Sequence, residues 1–128
     1  MATIEITDSS LIVHVEGLDK LFTLKSSITV PLAHVRSVTV RPDVRDLMYM
    51  EMGATFRGVQ SPGWLVAGTL RSPDGSHCVF CDVHDPNRAI AIELEHDVYQ
   101  RLLVEISNES PEEAQRRIER AVSKPHAV

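Results

Sequence analysis

The chain has 128 residues, 43% of them apolar and 24% charged. That length suits a single domain spanning 1–128, burying about two-thirds of its unfolded surface and needing no disulfide or structural metal to hold its core. A net charge of −5 argues against nonspecific nucleic-acid binding and against anionic membrane surfaces, since both depend on Lys and Arg.

No stretch approaches ~18 consecutive apolar residues, so no membrane span is expected. The first eight residues alternate instead of forming the apolar block of a signal peptide. Two cysteines suit a reducing compartment, and a cytoplasmic location is the expectation.

Short apolar alternating runs follow one another for about a hundred residues. Ile4 and Ile6 alternate with Thr3, Glu5 and Thr7, which predicts a half-buried strand over 3–7. Asp8-Ser9 is a turn candidate, and Leu11, Val13 and Val15 predict the second arm of a hairpin. Gly17 to Lys25 reads two ways. Leu18, Leu21, Phe22 and Lys25 have helical spacing, whereas Leu21 to Leu24 also suits a strand. Ile28, Val30 and Leu32 predict a strand, and Pro31 places it at a sheet edge or at the strand's end, because proline cannot donate to a ladder.

After a short connection, Val38 and Val40 give a fourth run that Pro42 stops. The 22 residues from Pro42 to Gly63 have no clean period and are too long for a bare loop in a compact domain. A short helix over Val44 to Met50 would fit part of them. Strands resume with the apolar run Trp64 to Leu70, then Cys78 to Val83 after the turn signal Ser72-Pro73-Asp74-Gly75. Asp85 to Arg88 is another turn. Ile90, Ile92 and Leu94 then form the clearest alternating strand, and Leu102, Val104 and Ile106 supply the last run.

One helix closes the chain, over about 111–123. Ser110 suits the N-cap, Pro111 the first helical position, and Glu113 completes a capping box. Ala114, Ile118, Ala121 and Val122 form a narrow apolar stripe. Glu112, Glu113 and Glu119 interleave with Arg116, Arg117 and Arg120 as an exposed face of i,i+4 pairs.

The segments Ile28 to Val38, Arg57-Gly58 through Gly68-Thr69, Ile90 to Leu94 and Tyr99 to Val104 resemble small bacterial pleckstrin-homology-like (PH-like) domain proteins. The resemblance implies a mainly β fold, a partly open barrel of about seven antiparallel strands capped by the C-terminal helix. It implies no catalytic residues, only ligand or protein binding, often with self-association; no cofactor is expected, and the expected partner is another protein or a second copy. Relatives that bind phosphoinositides use basic residues at the first hairpin. Here that turn is Asp8-Ser9-Ser10, so no phosphoinositide is expected.

Two constellations invite a site. His77, Cys78, Cys81 and His84 are plausible zinc ligands by type. They lie on a predicted strand, however, where residues three apart face opposite sides, so Cys78 and Cys81 read better as buried strand cysteines. Met48, Tyr49, Met50 and Met52, with Phe56, make the more suggestive group, because methionine recurs at adaptable contact surfaces. They suit a cover over the core, a self-association surface or a ligand-contacting flap, and they are the candidate interface. Trp64 is expected to pack beneath them. The expected function is a non-enzymatic interaction or self-association module, with a small ligand or small enzyme site in the barrel interior as the alternative.

Overall fold

A computed structural model describes residues 1–17, 26–42, 55–61, 65–72 and 78–123, of which 55–61, 65 and 66 are described by their backbone alone. Several expectations lie outside these residues. They are the ambiguous segment 18–25, the short helix over 44–50, Met48, Tyr49, Met50, Met52, Trp64 and His77. Phe56 falls on a described strand, through its backbone only.

The described residues form a small and a large sheet and one helix. The small sheet has the order β1 (Ala2–Ile6), β2 (Ser10–Val15), β3 (Ser27–Pro31), all antiparallel. The hairpin expected around Asp8-Ser9 is present, with Ile6 opposite Leu11 and Ala2 opposite Val15. Its turn is tied by Thr7, whose N–H donates to Ser10 O at 2.9 Å and whose Oγ1 accepts from Ser10 N at 3.1 Å. Gly17, just past β2, has φ +63, a left-handed conformation that glycine adopts without steric cost. Among the described residues β3 is an edge strand, and it ends on Pro31, in keeping with proline's missing N–H.

The large sheet has six strands in the order β4-β8-β9-β7-β6-β5. These are β4 (Val35–Val40), β5 (Thr55–Ser61), β6 (Leu65–Arg71), β7 (Cys78–Val83), β8 (Ala89–Leu94) and β9 (Arg101–Glu105). The described residues therefore hold nine strands in two sheets that do not close into a barrel, where the expectation is a partly open barrel of about seven strands. Nor are they all antiparallel. The last strand inserts between β8 and β7 and runs parallel to β7, with Phe80 opposite Leu102. β5 falls inside the stretch that showed no period. Its sequence TFRGVQS has two apolar side chains and a central glycine, so its place comes from pairing with β6, where Gly58 faces Gly68.

Between the sheets lies the main core. Ile4, Leu11, Val13 and Val30 of the small sheet meet Phe80, Ile90, Ile92, Leu102 and Val104 of the large one. β7, β8 and β9 are buried on their far face as well, where Leu70, Val79, Cys81, Val83, Ala89, Ala91 and Leu103 cluster. Burial on both sides explains why β7 reads as the near-continuous run CVFCDV and not as an alternation.

Helix α1 (Pro111–Ser123) closes one side of the core with Ala114 and Ile118, both fully buried. Its start carries the Ser110 half of the predicted capping box: Ser110 Oγ accepts from Glu113 N at 3.1 Å. Two of its charged residues bond outside the helix, and not only along an i,i+4 ladder. Arg117 Nη2 donates to Ile4 O of β1 at 2.9 Å, and its Nε to Glu109 at 2.9 Å. Glu112 accepts from Arg41 at 2.8 Å. Gln115 Nε2 donates to Val38 O of β4 at 2.9 Å. The helix thus bonds to a strand of each sheet.

Candidate functional site

β4 and α1 run beside each other, and two concave surfaces lie along their shared border. The first is an apolar groove of about 130 Å3 lined by Val35 and Val38 of β4 and Ile118 and Val122 of α1, rimmed by Arg36 and Glu119. It lies beside a sheet edge, because among the described residues β4 pairs with β8 on one side only. Arg41 N donates to Ala89 O at 2.9 Å, so alternate backbone groups of β4 turn towards β8 and those of Val38 and Val40 turn outward. Gln115 occupies the outward carbonyl of Val38. The ladder shifts register between Val35 and Ser37, a bulge at Arg36 of the kind that twists an edge locally.

The second surface is a polar cleft of about 480 Å3 where β4 ends and α1 begins. Arg41, Asn87, Arg88, Ser107, Asn108 and Glu109 line it with the start of the helix. Arg41 has φ +50, which is uncommon for a residue with a Cβ. Its bond to Glu112 lowers the Glu112 carboxyl below the usual carboxylate range and raises the Arg41 guanidinium. Arg88 Nη2 donates to Ile106 O at 3.4 Å and to Ser107 O at 3.3 Å. Both oxygens of Glu109 are engaged by Arg117, whose own protonation this bond strengthens.

The discounted zinc residues fall where strand geometry puts them. Cys78 and Cys81 are both buried on β7. Cys81 lies in the far-face cluster between Val79 and Val83, whereas Cys78 shares its parity with Phe80, which faces the main core. Burial pushes the Cys81 thiol up to about 12, the setting of an unreactive thiol. His84 is exposed just beyond the strand end. The candidate interface, Met48, Tyr49, Met50 and Met52, lies outside the described residues.

The structure brings together His34 and Asp97, with Nδ1 to Oδ2 at 2.8 Å. Sixty-three residues separate them, and no local signal announces such a contact. Arg41 and Arg88 were equally hidden, the first standing between a strand run and the Pro42 that stops it, the second in a turn. The apolar stripe of α1 was legible; that β4 is its neighbour was not.

Comparison of the chain with protein-family models, with curated proteins and with solved structures found no match. Among the described residues, no helix is long and apolar enough to cross a membrane.

Proposed function

We propose that this domain is a non-enzymatic interaction module that receives an extended protein segment, from a partner or from a second copy, along the outer edge of β4. Backbone hydrogen bonds to the edge supply the affinity, and a side chain of the segment seats in the groove against α1 to supply selectivity. The observation that carries this reading is the apolar groove lying directly beside a sheet edge. Its 130 Å3 is below the ~300 Å3 of a small-molecule site and fits one apolar side chain better than a metabolite. Gln115, whose amide holds the Val38 carbonyl, must swing aside for a partner N–H to bind there. That requirement guards the edge against indiscriminate pairing.

Light scattering with chromatography over a range of concentrations tests the self-binding arm. A rise in mass that Val122→Glu abolishes, with the fold unchanged, supports it, and a strict monomer throughout removes it. Extended peptides selected by display test the partner arm. Binding that shifts the amides of residues 35–40 and 115–122 supports it, and shifts confined to other surfaces remove it.

A further inference from the structure

We propose that the cleft between Arg41 and Arg88 binds the oxyanion group, carboxylate or phosphate, of a small polar metabolite. This site is separate from the β4 groove and does not rest on it. Its volume of about 480 Å3 clears the ~300 Å3 at which small-molecule sites begin. Two guanidinium groups line it from different elements, Arg41 at the end of β4 and Arg88 just before β8. The bond from Arg41 N to Ala89 O at 2.9 Å holds those two segments side by side.

The cleft wall carries two guanidinium groups, Arg41 and Arg88, against one lining carboxylate, Glu109, although the protein carries −5 overall. Three further carboxylates border it, each already bonded: Glu112 to Arg41, Glu16 to the Ser107 hydroxyl and Asp85 to the Asn87 N–H. Glu109 is neutralised through both its oxygens by Arg117. Arg41 spends Nη2 on Glu112 in an exposed pair, and such pairs are weak enough for an oxyanion to compete. Among the described residues, the Arg88 guanidinium makes long contacts alone, at 3.3 and 3.4 Å, so its planar fork can turn to grip an oxyanion with two parallel bonds. The amides of Asn87 and Asn108 can serve the ligand's neutral polar groups. The helix end is not the donor here. Pro111 has no N–H, and the N–H of Glu113 is already taken by Ser110.

An amide NMR titration at constant ionic strength, with inorganic phosphate in one arm and succinate in the other, tests the site against a sodium chloride blank. The expected result is a saturable shift of residues 41, 87–88 and 107–110 by at least one anion, weakened about tenfold or more by Arg88→Gln and by Arg41→Gln. The arm that saturates at the lower concentration names the class, phosphate ester or carboxylate. Arg88 also touches two backbone carbonyls; if its variant misfolds, the exposed Arg41→Gln decides alone. Shifts that match the chloride blank, that survive Arg41→Gln, or that centre elsewhere overturn the proposal.

Discussion

Glu105, at the end of β9, is 3% exposed, and its charge is met by backbone. Its Oε1 accepts from His84 N and from Asp85 N, both at 2.7 Å, which fixes the chain as it leaves β7. Asp85 then caps the next turn by accepting from Asn87 N at 3.0 Å. Glu105→Ala removes the acceptor of two backbone donors and should cost about 3 kcal/mol in denaturant unfolding, whereas Glu105→Gln keeps a carbonyl there and should cost about 1 kcal/mol. A smaller loss for alanine than for glutamine would contradict this account. Cys81 permits a second test. Its folded-state value is about 12 against an ordinary 9.0, so the native protein holds the neutral thiol while the unfolded chain ionises first. Its contribution is intact below pH 9 and is lost as pH rises towards 12. Native Cys81 should resist alkylation at pH 8 and react promptly once the chain is unfolded. Fast native labelling would contradict its burial.

The closing helix shows what one element contributes. Its start was legible because capping is local chemistry, the Ser110 hydroxyl reaching the N–H three residues on. Ser110→Ala should cost about 1 kcal/mol. Ile118 is fully buried in the main core, and Ile118→Ala should cost about 2–5 kcal/mol; chemical denaturation separates the two. The unforeseen part is what the polar residues of the helix do. Glu112 and Arg117 looked like members of a solvated ladder, yet they reach Arg41 and the Ile4 carbonyl. The Arg41–Glu112 bond holds the folded-state Glu112 carboxyl below its ordinary value. Its contribution is therefore present above the ordinary carboxylate range and fades as pH falls through the lowered value. Arg41→Gln should narrow the gap in Tm between neutral and acid pH, and high salt should shrink the effect. An unchanged gap would count against the pair.

Across the whole molecule, burial is deepest in the middle of the large sheet. β7, β8 and β9 have core on both faces, and β9 is paired on both sides. β3 is an edge with exposed alternate residues. Opening of β9 requires separating two neighbours and both cores, so its amides should exchange hydrogen most slowly and those of Ser27 and Thr29 among the fastest. Mass spectrometry of exchange can check the order, and equal protection of β3 and β9 would contradict the topology. A core filled by aliphatic side chains from both sheets and the helix also leaves the interior a poorer place for a ligand than the border of β4 and α1.

The sequence by itself determined most strands, the first hairpin, the edge-or-end position of Pro31 and the capped helix. Each depends on neighbours within a few residues: alternation, turn chemistry, a missing proline N–H or a capping hydroxyl. Only the tertiary structure decided that β9 slots between β8 and β7, that β5 is a strand at all, and that Arg41 meets both Arg88's turn and Glu112. Those depend on strand pairing and on contacts such as that of Arg41 with Glu112, 71 residues apart, which leave no periodic trace in the chain. The two candidate surfaces lie along one border between β4 and α1, elements the sequence could describe singly but could not place side by side.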